Sequence, residues 1–216
     1  MGRRALPKID PALDLSRHLL TLDSLPQPWD AAAVFGRQAP LEVEVGSGKG
    51  LFLQNIARAV PERDFLGIEV GGLYARFVAA RLAKRELPNA RIIHGDGLRL
   101  FREFLPDASL AAVHVYFPDP WWKARHRKRR VLNEAFLTDV VRTLAPDGRF
   151  HFWTDVQEYF ETTLALIAEK IPLVGPLPVP QRDPEHDLDY LTHFERRKRK
   201  AGLPIYRSEF AKPAAP

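Results

Sequence analysis

In "VEVGSGKG", Val43–Gly50, three glycines and a lysine follow a short apolar strand pattern. Glycines directly after a strand let the backbone pass close to a nucleotide-like ligand. A loop that binds a nucleoside triphosphate needs the pattern G-x-x-x-x-G-K-[ST], but here Gly50 follows Lys49, and Val43 stands where the first glycine is needed. A loop that binds a dinucleotide needs G-x-G-x-x-G. Counted from Gly46, the last glycine of this pattern is replaced by Leu51. The stretch therefore predicts a ligand of another kind.

Apolar strand-like runs alternate with helical patterns from this loop onward. The predicted strands are Leu41–Val45, Asp64–Val70, Ala90–Gly95, Leu110–Phe117 and Arg149–Thr154. The clearest predicted helix is Leu73–Leu87, and a second lies near Asn133–Leu144 with Asn133 as its N-cap. This alternation predicts an α/β fold with a mostly parallel sheet. In such a sheet, ligands bind beyond the carboxyl ends of the strands.

The ends of the chain differ in pattern from its middle. Residues 1–40 are irregular and contain prolines, so we expect an arm or extension there. Residues 41–216 are expected to form a single domain, with a Pro-rich connection at about residues 171–187. The final "IYRSEF", Ile205–Phe210, predicts an edge strand that returns to the sheet.

Three carboxylates stand at the ends of three successive predicted strands, namely Glu44, Glu69 and Asp96. Glu44 disfavours an anionic pyrophosphate because like charges repel. Glu69 follows Gly50 by nineteen residues, at the spacing where an acid usually binds ribose hydroxyls. S-adenosylmethionine combines two cationic groups with a ribose and an amino-bearing base. The three acids together therefore favour S-adenosylmethionine as the cofactor, although a single acid at a strand end is more often a solvated or capping residue.

A second group of candidate residues follows the fourth predicted strand, in "VYFPDPWWKARHRKRR", Val115–Arg130. Asp119 lies between two prolines, which keep the loop out of helices and ladders. Its carboxylate is therefore expected at the carboxyl edge of the sheet, beside the methyl donor. Trp121 and Trp122 either pack as a structural plug or stack on a base. Asp155, at the end of the next strand, is either a second acid of the site or an N-cap.

The net charge of +5 is concentrated in two basic runs. Lys123–Arg130 has six Lys or Arg in eight positions, and Arg196–Lys200 is basic throughout. Such patches are typical of nucleic-acid binding, although a solvated basic tract is the plainer interpretation of a charge run alone. The chain has no cysteine, which excludes disulfides and thiolate metal sites. We expect a cytoplasmic protein without a membrane span or a metal ion.

Six motifs make the chain resemble the single-chain bacterial tRNA (guanine-N7)-methyltransferase family from about Leu41 to Tyr206. They are "EVGSGKG", "FLGIEV", "GDG", "FPDPWWKARHRKRR", "TDVQEY" and "THFERR". The resemblance implies a class I (Rossmann-like) S-adenosylmethionine-dependent methyltransferase fold, with a seven-stranded sheet whose last strand is antiparallel and helices on both faces. It implies methyl transfer to N7 of a guanosine in tRNA, at variable-loop position 46.

The resemblance also implies roles for individual residues, with Asp119 as the catalytic residue. The implied cofactor site contains Glu44, Gly46, Gly48, Gly50, Glu69, Asp96 and Asp119. The implied guanosine site contains Lys123, Asp155, Thr192, His193, Phe194 and Glu195. The implied RNA-binding residues are Arg125, His126, Arg127, Lys128, Arg129 and Arg130. The sequence leaves monomer and homodimer open.

Guanine N7 has an in-plane lone pair, so its methylation requires no prior deprotonation. The hypothesis is that Asp119 holds the N–H edge of the guanine and, with Asp155, stabilises the positive charge that develops on it. Two other classes stay open from the residues alone. A non-catalytic RNA-binding module explains the basic runs, and a nicotinamide-dependent oxidoreductase explains the strands and glycines. A methyltransferase that acts on another substrate, DNA or protein, is disfavoured only by the resemblance.

Overall fold

The structure is a computed structural model that describes residues 6–179 and 190–214. The strands of its sheet are β1 (Leu19–Thr21), β2 (Leu41–Val45), β3 (Asp64–Glu69), β4 (Ala90–His94), β5 (Leu110–Tyr116), β6 (Leu144–Thr154), β7 (Val174–Leu177) and β8 (Tyr206–Ala211). The helices are α1 (Ala31–Phe35), α2 (Leu51–Ala59), α3 (Gly72–Lys84), α4 (Gly97–Glu103), α5 (Glu134–Thr143), α6 (Gln157–Lys170) and α7 (His193–Lys200). Short 3₁₀ helices lie at Leu22–Ser24 and Ala124–Arg129.

The strands form one sheet in the order β1-β4-β3-β2-β5-β6-β8-β7. Neighbours from β1 to β6 are parallel, whereas β8 is antiparallel to both β6 and β7. The predicted α/β class and its antiparallel last strand are thus confirmed. The described sheet has one strand more than the seven expected, and the extra strand is β1, which pairs with β4 at the edge.

The sheet is buried on both faces, which explains why its central strands are nearly continuous apolar runs. On one face, the side chains of α4, α5 and α6 pack on the sheet through residues such as Phe101, Phe136 and Tyr159. On the other face, α2 and α3 pack through residues such as Leu53 and Val78. This arrangement leaves the carboxyl edge of the parallel strands, where the predicted site lies, for the connecting loops.

The structure corrects two sequence expectations about the ends of the sheet. The predicted edge strand "IYRSEF" corresponds to β8, which lies between β6 and β7, so β7 takes the edge position. Within residues 6–40, β1 and α1 pack against the domain, and Leu22, Leu25 and Phe35 belong to the main core. Of the predicted Pro-rich connection, residues 171–179 include β7, and residues 180–187 lie outside the described residues.

The predicted helices are present, with different ends. Asn133 caps α5 as expected, because its side chain accepts a hydrogen bond from the backbone N–H of Phe136 at 3.1 Å. Helix α3 ends at Lys84 rather than Leu87, and Glu86 beyond it has a positive φ of 51°. Leu73, which the apolar spacing places on the buried face of α3, is 78% exposed. Among residues 6–179 and 190–214, no helix combines the length and apolarity needed to cross a membrane.

Candidate active site

The glycine loop connects β2 to α2 through backbone conformations that favour glycine. Gly48 and Gly50 have φ angles of 53° and 66°. A Cβ atom on Gly50 would lie 2.7 Å from a methyl carbon of Val78, so a side chain at this position would collide with α3. The backbone N–H of Gly48 donates a hydrogen bond to Oε2 of Glu69 at 2.9 Å. The loop is therefore held against the ends of β2 and β3.

Glu69 joins two loops at this edge of the sheet. Its Oε2 accepts from Gly48, and its Oε1 accepts from the backbone N–H of Gly71 at 2.8 Å. The side chain is half-buried at the end of β3. Glu69, the acid predicted to bind ribose hydroxyls, is thus hydrogen-bonded to the predicted glycine loop.

Glu44 is the deeply buried acid of the group, at 4% exposure. Its Oε2 atom has no hydrogen-bond partner among the described residues. Burial and repulsion from Glu69 raise the pKa of Glu44, the neighbouring Ser47 hydroxyl partly offsets them, and the resulting pKa is about 7. A cationic ligand group beside Glu44 would favour its ionised form and give the orphaned oxygen a partner.

Asp96 lies at the same edge and is exposed. It is the N-cap of α4, because its Oδ1 accepts a hydrogen bond from the backbone N–H of Leu98 at 2.9 Å. The adjacent Gly97 approaches Val45 so closely that a Cβ atom there would lie 2.9 Å from its side chain. The capping interpretation of this acid is therefore correct, and it places Asp96 beside the end of β2.

Asp119 is exposed in the loop that follows β5. The loop leaves the sheet through Phe117, which has a positive φ of 51° and whose backbone N–H donates to Trp153 at 2.8 Å. On the other side of Asp119, the carbonyl of Pro120 accepts from Nε of Arg130 at 2.8 Å. Both flanks of Asp119 are thus fixed to the domain, as the two prolines predicted.

Arg130 has an internal role that the sequence did not reveal. It is 8% exposed, and its Nη2 lies 2.7 Å from Oε2 of Glu158 on α6. Its guanidinium also lies 4.4 Å from the ring centroid of Tyr159. These contacts speak against the predicted RNA contact of Arg130 and make it the residue that anchors the Asp119 loop to α6.

The rest of the basic run lies on the surface. Its exposed members are Lys123, Arg125, Arg127, Lys128 and Arg129, whereas His126 is half-buried. Arg127 forms an ion pair with Glu158 at 3.3 Å. No ion pair of Arg125 or Lys128 is found within the described ranges. These two cations, and the exposed Lys123, for which no ion pair is found there either, are therefore open to a phosphate.

The two adjacent tryptophans lie in different environments. Trp121 is half-buried, with the guanidinium of Arg129 5.1 Å from its ring centroid and the ring of His126 edge-on at 6.0 Å. Trp122 is 71% exposed. The packing interpretation therefore holds for Trp121 and not for Trp122.

Helix α7 contains three of the four residues of the predicted "THFE" segment, and Thr192 directly precedes it. Thr192 is its N-cap and accepts from the backbone N–H of Glu195 at 3.0 Å. Glu195 is buried, accepts from the backbone N–H of Leu191 at 2.7 Å, and lies 3.2 Å from a guanidinium nitrogen of Arg207. Glu195 therefore holds the start of α7 in place. Any contact with a guanosine would have to be made by an oxygen already shared with these groups.

Phe194 connects α7 to the Asp119 loop. Its ring is stacked on that of Phe117 with centroids 5.8 Å apart and an interplanar angle of 17°. Since Phe117 is two residues before Asp119, the structure brings the predicted "THFE" segment to the predicted catalytic loop. This long-range contact could not be read from the sequence.

His193, the first residue of α7, lies near the glycine loop. Burial, together with the nearby charges of Arg196, Arg81 and Lys49, lowers its pKa to about 4. The ring is therefore neutral at physiological pH, and its Nε2 has no hydrogen-bond partner among the described residues. Helix α7 thus reaches from the glycine loop to the Asp119 loop.

Asp155 at the end of β6 does not cap the following helix. The N-cap of α6 is Val156, and its backbone N–H donates to the Thr154 hydroxyl at 3.2 Å. The Asp155 carboxylate instead lies 2.6 Å from Nζ of Lys198. Of the two alternatives for Asp155, the N-cap is therefore wrong. Its partner Lys198 belongs to the second basic run, so this ion pair connects the end of β6 to α7.

A buried polar network behind Glu44 was missed in the sequence. Glu42 accepts from Nη1 of Arg63 at 2.5 Å and lies 2.8 Å from Nε2 of His114, whose Nδ1 lies 2.9 Å from the Tyr116 hydroxyl. Burial would raise the pKa of Glu42, but its bonds to His114 and Arg63 outweigh burial and lower it. The signal was available in "LEVEV", where Glu42 and Glu44 alternate with apolar residues and so share one face of β2.

Comparisons with known proteins agree with this geometry. A family model described as a putative methyltransferase matches residues 38–208. The tRNA (guanine-N(7)-)-methyltransferase of Rhodopirellula baltica is 53% identical over 213 residues, which is 96% of this chain and 79% of that protein. The protein of the same name from Sodalis glossinidius is 39% identical over 93% of this chain and 84% of its own length. The chain belongs to the tRNA (guanine-N7)-methyltransferase family.

Solved structures show the same fold at low sequence identity. The 16S rRNA methyltransferase KamB has a TM-score of 0.62 and 19% identity, with coverage of 86% of this chain and 94% of that one. An S-adenosylmethionine-dependent O-methyltransferase from Thermotoga maritima has a TM-score of 0.55 and 18% identity, with coverage of 83% and 62%. At this identity the two structures show the shared fold, and the printed name of the Thermotoga protein makes S-adenosylmethionine its methyl donor.

The residues of the edge fit this cofactor. The orphaned Oε2 of Glu44 suits a cationic group, and the glycine loop leaves the space that side chains would fill. Glu69 offers carboxylate oxygens of the kind that accept from ribose hydroxyls. Among the described residues, no group of three or more His, Cys, Asp or Glu is placed to hold a metal ion.

Proposed function

We propose that the protein transfers a methyl group from S-adenosylmethionine to N7 of a guanosine in tRNA. The proposal is supported by two features that lie next to each other at the carboxyl edge of the sheet. A site with an unpartnered buried carboxylate, Glu44, lies at the same edge as the exposed Asp119, and an exposed cationic surface begins four residues beyond Asp119. The first feature suits a cationic methyl donor, and the second suits a polyanionic substrate. The names of the relatives identify the polyanion as tRNA.

The proposed cofactor residues are those of the strand ends and the glycine loop. Glu44 would hold a cationic group of the amino-acid portion, Glu69 the ribose hydroxyls, and Asp96 the amino group of the base. The backbone of Gly46–Gly50 would line the amino-acid and sugar portions, and Asp119 would close the site on the side of the substrate. Bound there, the cofactor supplies the methyl group and is left as a thioether.

The proposed guanosine site lies between the Asp119 loop and α7. Asp119 and Asp155 contribute carboxylates, Lys123 a cation, and Thr192–Glu195 the opposite wall. Because Asp155 is paired with Lys198 and Glu195 with Arg207, their main contribution is to fix the wall of the pocket. Phe194 is the member of this segment with an exposed apolar surface available to a base.

The chemical step needs alignment more than proton transfer. The bond from carbon to guanine N7 forms with the in-plane lone pair as the bond from carbon to sulfur breaks, and the positive charge passes from sulfur to the guanine. Holding the reacting atoms in line lowers the barrier by several kcal/mol, up to about 7–11 kcal/mol in well-oriented systems. Asp119 would orient the N–H edge of the guanine and stabilise the charge that develops on the ring.

Asp119→Ala should therefore abolish methyl transfer while S-adenosylmethionine binding is partly retained, because Glu44, Glu69 and the glycine loop are intact. Transfer is measured with labelled cofactor and binding by calorimetry. Asp107→Ala, an exposed aspartate before β5, is the matched control and should behave as wild type. Near-normal turnover of Asp119→Ala contradicts the assignment of the catalytic residue without touching the assignment of the reaction.

The position of the modified guanosine is part of the proposal. The family resemblance favours position 46 in the variable loop of tRNA. Replacing that guanosine in a transcript by adenosine should remove the methyl acceptor, whereas replacing guanosines elsewhere should not. Continued methylation of the position-46 variant would move the site to another guanosine.

The experiment that tests the proposed function is incubation of bulk unmodified tRNA with labelled S-adenosylmethionine, followed by nucleoside analysis. The label is expected in N7-methylguanosine. Label in another methylated nucleoside, or transfer to DNA or protein but not to tRNA, would overturn the proposal in favour of a methyltransferase of another substrate.

A further inference from the structure

We infer that Trp122 is a stacking platform for a nucleobase of the tRNA that neighbours the methylated guanosine. This inference rests on the proposed function and adds a contact that positions the substrate. It starts from the exposure of the indole, since 71% of this large apolar side chain is in contact with solvent. Its ring has no aromatic or cationic partner among the described residues, whereas the ring of Trp121 has both.

The fold itself does not require Trp122. The Asp119 loop is anchored by Phe117 on one side and by Arg130 on the other, through the contacts to Trp153, Pro120 and Glu158. The 3₁₀ helix that follows is packed through Trp121, over which Arg129 lies. Since these contacts hold the loop without the second indole, its conspicuous exposure points to a ligand rather than to packing.

The surroundings of Trp122 define the chemistry of that ligand. Lys123, Arg125 and Lys128 are exposed cations within six residues of it. An apolar ring within a cationic surface suits a molecule that presents phosphates and flat aromatic faces together. Unpaired nucleotides have both, and RNA loops are recognised largely by stacking of splayed bases on aromatic side chains.

The proposed position of the methylated guanine leaves a neighbouring base as the partner of Trp122. The guanine is assigned to the space between Asp119 and Phe194, whose ring is already stacked on that of Phe117. Trp122 is three residues beyond Asp119, so their Cα atoms lie at most about 11 Å apart. A second base that stacks on Trp122 is therefore within the reach of one or two nucleotides of the guanine.

The first test measures tRNA affinity in the presence of S-adenosylhomocysteine, so that no methyl transfer occurs. Trp122→Ala should weaken binding by about 5- to 100-fold, the range of a single base–aromatic stack. Trp122→Phe should stay within about 3-fold of wild type, because it keeps an aromatic face. The salt dependence of binding should be unchanged in both variants, since the cations that face the phosphates are all retained. Val174→Ala, at an exposed apolar residue of the edge strand β7, is the control and should bind as wild type.

The second test identifies the base. In tRNA assembled from synthetic pieces, the nucleotides on either side of the methylated guanosine are made abasic in turn. One of these tRNAs should bind wild type and Trp122→Ala equally, because the stacking partner is already missing. Normal tRNA affinity of Trp122→Ala in an active preparation refutes this inference and leaves the proposed function intact. Wild-type protein that binds tRNA but transfers no methyl group refutes the proposed function, and a Trp122 effect that persists in both abasic tRNAs refutes the assignment to a neighbouring base.

Discussion

The buried carboxyl of Glu44 lowers the stability of the folded protein at high pH, and a cationic ligand would offset this loss. Burial raises the pKa of its carboxyl from 4.5 to about 7. The folded protein therefore binds more protons than the unfolded chain between these values, and stability decreases as the pH rises through this window. A shift of this size corresponds to ~3 kcal/mol of lost stability at pH 8 as an upper limit. We expect a cationic cofactor to recover much of this loss by stabilising the ionised form.

Glu44→Gln should separate the two effects. Without added cofactor, the variant should be more stable than wild type at pH 8 and no more stable at pH 4, as measured by urea unfolding. In calorimetry, wild type should release protons and bind S-adenosylmethionine more tightly as the pH rises to about 7, whereas the variant should bind weakly and without this dependence. Glu62→Gln, at an exposed glutamate, is the control and should behave as wild type. A wild-type affinity that falls between pH 6 and 7.5 would contradict this role of Glu44.

The sequence predicted which acids lie at the edge because each one lies at, or just beyond, the end of a predicted strand. It did not predict which of them are engaged by other protein groups. The partner of Asp155 is Lys198, and the partner of Arg130 is Glu158, both far away along the chain. Basic runs look uniform in sequence, so the buried guanidinium of Arg130 and the exposed cations beside it could be told apart only in three dimensions.

At the scale of elements, the loop from β5 to α5 combines an anchor with an exposed cationic surface. Arg130 connects the loop to α6, whereas Arg125 and Lys128 lie on its exposed 3₁₀ helix. The two kinds of residue should therefore respond differently to mutation, although both are basic residues of one run.

Arg130→Gln should lower the free energy of unfolding by ~2 kcal/mol, less than for a fully buried pair because Glu158 is partly exposed. It should also reduce methyl transfer, since the carbonyl of Pro120 loses its donor. Arg125→Gln should leave unfolding unchanged in the same urea titration. Equal free energies of unfolding for the two variants would contradict the anchoring role of Arg130.

The longer elements were predictable because their apolar runs exceed four residues. Strands β1 and β7 were missed because three or four residues show no period, and β7 contains a proline in "VGPL". The position of β8 between β6 and β7 depends on which strand pairs with which, and an alternating pattern does not specify that. The end of α3 was placed three residues too late because Leu87 continued the apolar spacing beyond the turn at Glu86.

For the molecule as a whole, charge of opposite sign is placed on two neighbouring surfaces. The strand ends contain the acids Glu44, Glu69 and Asp96, whereas the loop beyond Asp119 is cationic. The first surface suits a cationic cofactor and the second an RNA backbone, whose binding depends on salt because counterions are released.

Arg125→Gln combined with Lys128→Gln should weaken tRNA binding and make its salt dependence shallower. The slope of log K against log salt concentration should decrease in magnitude by about 0.7 to 0.9 for each phosphate that the variant no longer neutralises. Affinity for S-adenosylmethionine should not change. Filter binding between about 50 and 200 mM salt measures the slope, and an unchanged slope would assign these cations to a solvated face.

The atom that we expect to accept the methyl group is N7 of a guanosine in tRNA. The most direct measurement compares two tRNAs, identical except that one contains 7-deazaguanosine, which lacks N7, at the target position. With labelled S-adenosylmethionine, the normal tRNA should accept about one methyl group per molecule, and the 7-deaza tRNA should accept none while it binds with similar affinity. Methyl transfer to the 7-deaza tRNA at the same rate would contradict the account.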